Sequence, residues 1–492
     1  MVSQSFEEIT QLVVLGQYLE AKTSLSKLNE EELSFKDKIT YKILNYQILI
    51  GLYKFSEALL DIDSTIKIIK QNELEKELFQ ILSVKSFAMQ FIRKFDESLE
   101  CVNEGIEKIE KLSKEKQQLY SIEYAYLFLH KGYAYFWLKE YDETLDLAIK
   151  AKKIFEEKDF LIGIGETLTL MGLVYYGRHE NITKAIEFID EGLAIFEDLK
   201  VIHLMLNSYY YLGRLFYHKG QIHQSLSYTD KMLHLVKKYN DDYRLGVFLL
   251  TSSILLAEIG KYKSAEKNAL ASLKHIENFS RSDINYLIYY RLFIITINQN
   301  KISEAKNHLK RLYTLKEEFS DLTDLHDVIL LAEAQLEMKK ETIQETNKAK
   351  SLLNEVIVKQ RNRKDKAMEA RYYLCNILLQ EYLDSGEKEI LSRLNKLTNE
   401  ILEFGKKDDL IGFRIKANHI RLLIVWIHQL HSSQTPKNTK VEELLLDVQL
   451  IAEKHNLSTI TKQFTDQQMK LLQQKQTLEE FTKAYYFDTY LV

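Results

Sequence analysis

A chain of 492 residues is too long for one globular core, since such cores stop growing at about 250–300 residues. It holds a single proline, Pro436, with 28% charged and 46% hydrophobic residues. Long uninterrupted helices exclude proline and sheet-rich folds need more turn residues, so the composition selects a nearly all-helical chain of small repeated units. The 67 Lys and Arg against 71 Asp and Glu leave a formal net charge of −4, which excludes a global field for recruiting nucleic acid or an acidic membrane.

The chain opens without the basic and apolar regions of a secretory signal; Ser5 with Glu8 instead forms a possible capping box, so a helix is expected there. From Tyr18 onward an apolar anchor is followed three residues later by a small residue: Tyr18/Ala21, Phe55/Ala58, Phe95/Ser98, Tyr141/Thr144, Ile182/Ala185, Ile222/Ser225, Tyr262/Ala265 and Ile302/Ala305. Successive anchors lie 37, 40, 46, 41, 40, 40 and 40 residues apart. On the helix before the anchor, Gly132, Gly172 and Gly213 stand in phase with this pair. Where two antiparallel helices cross, a glycine on one and a small residue on the other let the backbones approach, while the anchor fills the space beside the crossing. Ser86, Ser253, Tyr46 and Phe293 replace the glycine elsewhere, which predicts wider crossings. Gly220, just before Ile222, supplies a turn. Asp159, Asp242 and Asp408 each follow a second helix and are placed to cap the next first helix.

The most apolar stretches, Val247 to Ala257 and Leu422 to Ile427, fall short of the roughly 18 residues that a bilayer requires. Cys101 and Cys375 lie far apart and suggest no disulfide framework, so a reducing cytoplasm is the expected location. Beyond Ile302 the register loosens. Thr346/Ala349 keeps the small residue, but Ile390 is followed by Arg393 and Val441 by Leu444. His431 to Thr439 reads as a linker, followed by helices over Val441 to His455 and Ser458 to Lys483, the last a polar cap. The expected organisation is regular repeats over residues 1–340, degenerate repeats over 341–431, and linker, final pair and capping helix over 432–492.

The order Leu212-Gly213, Phe216, Ile222, Ser225 resembles the tetratricopeptide repeat, with its Leu-Gly pair, an aromatic, then an aromatic and an Ala in the second helix. The long period is similar to that in kinesin light chains, Pins-type adaptors and the helical sensor domains of prokaryotic regulators. The resemblance implies an all-α right-handed superhelical solenoid of stacked antiparallel helix pairs. It also implies a concave wall lined by first helices at offsets of about −15, −12, −8, −5 and −4 from each anchor. Carried over to this chain, these offsets select Tyr126, Tyr133, Trp137, Tyr176, Asn207, Tyr210, Arg214, Tyr217, His218 and Tyr290 as candidate binding residues. Leu129, Phe136, Glu166, Thr169, Leu173, Leu287, Ile294, Ile297 and Asn298 also fall there, as do Val247, Leu250, Ile254, Ala257 and Glu258 from Tyr262. Such an aromatic wall with polar handles suits an amphipathic or extended peptide. Only Arg214 and Asn207 approach the Lys and Asn pattern with which some family members grip chaperone C-termini.

Signals for chemistry are lacking. Gly163-Ile-Gly165 has neither the third glycine nor the strand of a dinucleotide site. His218 with His223, and His428 with His431, have no third ligand at metal spacing. The basic run from Lys359 to Lys366 reads as a solvated loop, and no side-chain code for nucleic acid repeats with the period. No cofactor, metal or catalysis is expected. The reading is a protein or peptide-binding scaffold or adaptor, without membrane or nucleic-acid partners. The alternative is a regulator whose curvature changes when it senses a peptide or small ligand.

Overall fold

The computed structural model describes residues 2–178, 181–277, 279, 282–319, 323–340, 342–359, 364–407 and 410–431, and its regular elements there are all helical. The expected final pair and capping helix, with their linker, lie outside the described residues, as does Asp408. The chain divides into two compact units, Met1–Leu215 with His234–Tyr243, and Phe216–Leu233 with Arg244–Val492.

Helices α1 (Val2–Leu15), α2 (Tyr18–Leu25), α3 (Phe35–Gly51), α4 (Phe55–Leu59), α5 (Ile62–Gln71), α6 (Glu75–Phe91) and α7 (Phe95–Glu110) open the first unit. It continues with α8 (Lys114–Leu119), α9 (Ser121–Leu138), α10 (Tyr141–Glu157), α11 (Leu161–Arg178) and α12 (Ile182–Leu199). The division between units passes through α13 (Ile202–His218), α14 (Ile222–Lys238) and α15 (Asp242–Glu258). The second unit goes on with α16 (Tyr262–Ile276), α17 (Ser282–Asn298), α18 (Ile302–Glu318), α19 (Thr323–Met338) and α20 (Ile343–Lys359). It ends, among the described residues, with α21 (Lys364–Ser385), α22 (Lys388–Lys407) and α23 (Ile411–His431).

The eight regular anchors, Tyr18 to Ile302, are each the first residue of a second helix. The small residues Ala21, Ala58, Ser98, Thr144, Ala185, Ser225, Ala265 and Ala305 have no solvent exposure, as close helix crossings require. An added Cβ on Gly132 would lie 3.0 Å from Leu170 and 3.6 Å from the Thr144 carbonyl oxygen. On Gly172 it would lie 2.6 Å from Ile189 and 2.9 Å from the Ala185 carbonyl oxygen. Where serine replaces glycine, its hydroxyl bridges the crossing: Ser86 meets Ser98 at 2.8 Å, and Ser253 donates to the Ala265 carbonyl at 2.7 Å. At these two crossings the buried serine hydroxyls thus have their partners.

One turn geometry recurs. Two residues before the anchor the backbone is left-handed at Gly16, Tyr53, Arg93, Lys139, Gly220, Gly260 and Asn300. The following amide reaches back to close the preceding helix, as in Lys94 N to Met89 O at 2.9 Å and Lys301 N to Thr296 O at 2.9 Å. Glycine supplies this turn at three of those positions, and at the others a Cβ is accommodated against its preference.

Several local expectations are corrected. Helix α1 already runs from Val2, so Ser5 lies inside it and does not cap it. Asp159 has φ 51° and its amide donates to the Glu156 carbonyl, so it terminates α10, while α11 starts at Leu161. Asp242 does stand in the first turn of α15. The longest interval, from Phe95 to Tyr141, is explained by the inserted α8, capped by Ser113. Helix α20 begins at Ile343, three residues before Thr346, although Ala349 keeps its full burial. Among the described residues no helix is long and apolar enough to cross a membrane.

Candidate ligand-binding faces on the first helices

Helix geometry decides which first-helix residues stay open. In α9, positions −15, −11, −8 and −4 from Tyr141 carry Tyr126, His130, Tyr133 and Trp137, all half-buried or exposed. In the first unit's part of α13 the same stripe carries Asn207, Tyr211 and Arg214. Steps of 4, 3 and 4 keep one helical face. Offset −12 turns inward: Leu129 is fully buried, and Leu250 and Tyr290 are each 7% exposed. Offset −5 turns inward in later repeats, where Ala257 and Ile297 are buried. Tyr290 therefore belongs to the second unit's core, with its ring parallel to that of Phe293 at 6.5 Å.

The first unit gathers tyrosines. Tyr126 packs edge-on to the buried Phe155 at 5.2 Å and to Phe160 at 6.0 Å, and stacks on His130 at 6.1 Å. Its hydroxyl meets the carboxyl of Glu166. Burial pushes the Glu166 carboxyl up to about 7 against that hydrogen bond, and pushes the His130 imidazole down to about 4. Tyr133 is half-buried against the same apolar cluster. Trp137 stands 52% exposed, supported edge-on by Phe136 at 5.5 Å. The Arg214 guanidinium lies over the rings of Tyr176 at 5.5 Å and Tyr210 at 5.6 Å, and donates to the Tyr210 hydroxyl at 3.3 Å. Asn207 is exposed two turns earlier on the same helix.

The second unit gathers charge. The Tyr217 hydroxyl donates to Glu258 at 3.2 Å, and His218 packs edge-on to Tyr217 at 5.5 Å. Glu369 accepts from the Tyr290 hydroxyl at 3.2 Å and from Lys366 at 2.7 Å, while the Lys366 ammonium lies 5.0 Å above the Tyr290 ring. Lys416 sits over Tyr372 at 5.1 Å and Phe413 at 5.5 Å. Burial raises the Glu258 carboxyl in spite of Arg291 and Lys416 beside it, whereas Lys366 and Lys416 outweigh burial and hold Glu369 below its usual range. Burial likewise lowers Lys416, opposed by Glu369 and Glu258. Asn298, at offset −4 from Ile302, has both side-chain amide atoms buried without a hydrogen-bond partner.

Arg291 and Tyr211 occupy the −11 position, which the inherited offsets omit; the 4-3-4 spacing of an ordinary helix face would have found them. Glu369 and Lys416 lie beyond the regular register, and no local pattern marked them; Lys366 closes the basic run expected as a solvated loop, but it stands in the first turn of α21 and pairs with Glu369. Among the described residues no group of three or more His, Cys, Asp or Glu is arranged to hold a metal ion. Residues 360–363 of the basic run, and the side chains of His428 and His431, lie outside the described set.

No family model and no curated protein matches the chain. Among solved structures it is similar to a Rap protein complexed with Competence and Sporulation Factor, at 12% identity and TM-score 0.48 over 80% of this chain and 99% of that one. It is also similar to the apo form of the quorum sensor NprR from B. thuringiensis, at 15% identity and TM-score 0.47 over 80% and 98%. A third similar structure is the yeast Tom70, at 11% identity and TM-score 0.35 over 98% and 99%.

Proposed function

We propose that the protein is a peptide-binding scaffold or adaptor that engages extended or amphipathic segments through the open faces of its first helices. The observation that carries this reading is the stripe of Tyr126, Tyr133, Trp137, Asn207, Tyr211 and Arg214 in the first unit. Tyr126 and Tyr133 are fixed by packing on one side and half-exposed, Tyr211 is half-buried, and Trp137, Asn207 and Arg214 are exposed. A half-buried tyrosine loses little conformational freedom on contact and offers both a ring and a hydroxyl, and aromatic and Arg anchors dominate binding energetics. Tyr176 and Tyr210 act by holding Arg214. Tyr217, His218 and the unpartnered amide of Asn298 offer the same combination in the second unit. An asparagine amide supplies one donor and one acceptor face, matched to a peptide main chain.

The chain itself performs no chemistry in this reading. The Cys101 and Cys375 thiols are buried and pushed up to about 11 and about 12, far from a reactive thiolate. Reduced thiols of this kind suit the cytoplasm. The test is capture of cellular proteins on the immobilised full chain, in parallel with a Trp137→Ala/Tyr217→Ala double variant of unchanged circular dichroism. Proteins recovered by the parent and lost by the variant support the proposal. Equal recovery on both columns overturns it.

A further inference from the structure

The first unit touches itself at two places far apart in the chain. Gly16, in the turn between α1 and α2, lies so close to α13 that an added Cβ would stand 2.6 Å from His203 Nδ1 and 2.9 Å from His203 Cβ. Tyr18 packs on the same imidazole at 5.7 Å. In the next helix pair Tyr53 lies on Tyr243, with ring centroids 3.8 Å apart and planes at 30°. The two contacts join equivalent positions. Gly16 and Tyr53 are the left-handed residues two before the anchors Tyr18 and Phe55. His203 and Tyr243 are the second residues of α13 and α15, whose anchors, Ile222 and Tyr262, come five repeats later. A contact repeated in one register marks a seam where successive turns of the stack meet. Tyr53 keeps φ 62° at a position that is glycine in three other pairs, and the stacked Tyr243 ring, 7% exposed, offsets that preference.

The seam is continuous with the open stripe. On α13, His203 is followed at steps of 4, 4 and 3 by Asn207, Tyr211 and Arg214, which keeps all four on one helical face. The turn between α1 and α2 therefore covers the N-terminal end of the stripe. The Tyr211 hydroxyl, further along it, is pushed up to about 12 by burial although the residue is half-open, so the stripe looks onto protein and not onto bulk water. Resting on the peptide-binding reading above, we infer that this seam is a gate over the stripe. Closed, it admits an extended segment and keeps folded surfaces away from Asn207, Tyr211 and Arg214; open, it exposes them to larger partners. Ring contacts between distant helices, held by no continuous chain, are the kind of structure that opens locally without unfolding the core.

The test needs no partner. Asn207→Cys reports on the stripe, and Ile149→Cys, at a 50% exposed residue of α10, serves as the open reference; the native Cys101 and Cys375 thiols are buried. Each full-chain variant is labelled with N-ethylmaleimide and, separately, with a maleimide carried on a small folded protein. With the seam intact, the rate of the bulky reagent relative to the small one should be about tenfold lower at the Asn207 site than at the Ile149 site, the factor for a gate that opens at about 1.4 kcal/mol. Adding Tyr53→Ala/Tyr243→Ala should bring the two sites to the same ratio. If Tyr243→Ala melts early, Tyr53→Ala with His203→Ala must still raise the ratio at Asn207. Equal ratios at the two sites with the seam intact, or a low ratio at Asn207 that persists in the opened variants, overturn the gate. Neither result touches the peptide-binding reading, which the capture experiment decides by itself.

Discussion

The two units apply one helix-pair grammar to opposite surface chemistries. In the first, open positions hold tyrosines, a tryptophan, one guanidinium and a carboxyl kept near neutrality; in the second, Glu258, Arg291, Lys366, Glu369 and Lys416 crowd around Tyr217 and Tyr290. The buried side of both is the same, with fully buried small residues at the crossings. The difference teaches that the repeat constrains what faces the partner helix and leaves the open stripe free to vary.

The largest expected effect separates the units by stability. Phe155 is fully buried beneath Tyr126 and Phe160, so Phe155→Ala should cost about 3–5 kcal/mol. Because each helix packs mainly on its neighbours in the chain, hydrogen exchange should accelerate in α9 to α12 while α16 to α22 keep their protection. Simultaneous loss in both would show that the units do not behave as separate cores. In the second unit, Ala305→Leu should overpack a fully buried crossing and cost about 1–3 kcal/mol; an unchanged urea midpoint would remove the crossing argument there.

Binding sharpens the contrast next. Trp137 is 52% exposed, so Trp137→Ala should leave melting nearly unchanged while weakening a captured partner by about 2 kcal/mol, or roughly 30-fold. Premature unfolding of that variant would return Trp137 to the core. A smaller effect is expected at Gly260, where φ is +75° and an added Cβ meets nothing within 4 Å. Gly260→Ala there isolates backbone strain, and a denaturant melt should register a loss of about 1–2 kcal/mol; no loss would mean that the left-handed turn is not strained by a Cβ.

The smallest effect is one of pH. Glu166 titrates at about 7 in the folded chain, above its ordinary value, so the folded state holds the proton more tightly than the unfolded one. Its contribution is therefore present at low pH and lost as pH rises through about 7. Stability of the parent relative to Glu166→Gln should fall between roughly pH 4.5 and pH 7. A parallel pair of pH profiles would show that this carboxyl is ordinary and that the first unit is less apolar than described.

Much of the fold was legible because its determinants are local. Anchor and small residue lie three apart on one helix, and every regular anchor from Tyr18 to Ile302 begins one. The register blurred where that signal did: Thr346 lies inside α20, and Ile390 is the third residue of α22. Spacing alone also assigned Asp159 a capping role that its left-handed backbone refuses.

The sequence by itself determined the helix pairs, their period and the buried crossing residues, since a spacing of three or four residues fixes a helical face wherever the chain goes. Only the tertiary structure decided which first-helix positions remain open, sending Tyr290 into the core while leaving Trp137 in solvent. It also decided that Tyr217, Glu258, Arg291, Glu369 and Lys416, drawn from five helices, share one electrostatic environment. Such neighbourhoods depend on how successive pairs stack, which is a sum over many interfaces and leaves no periodic trace in the chain.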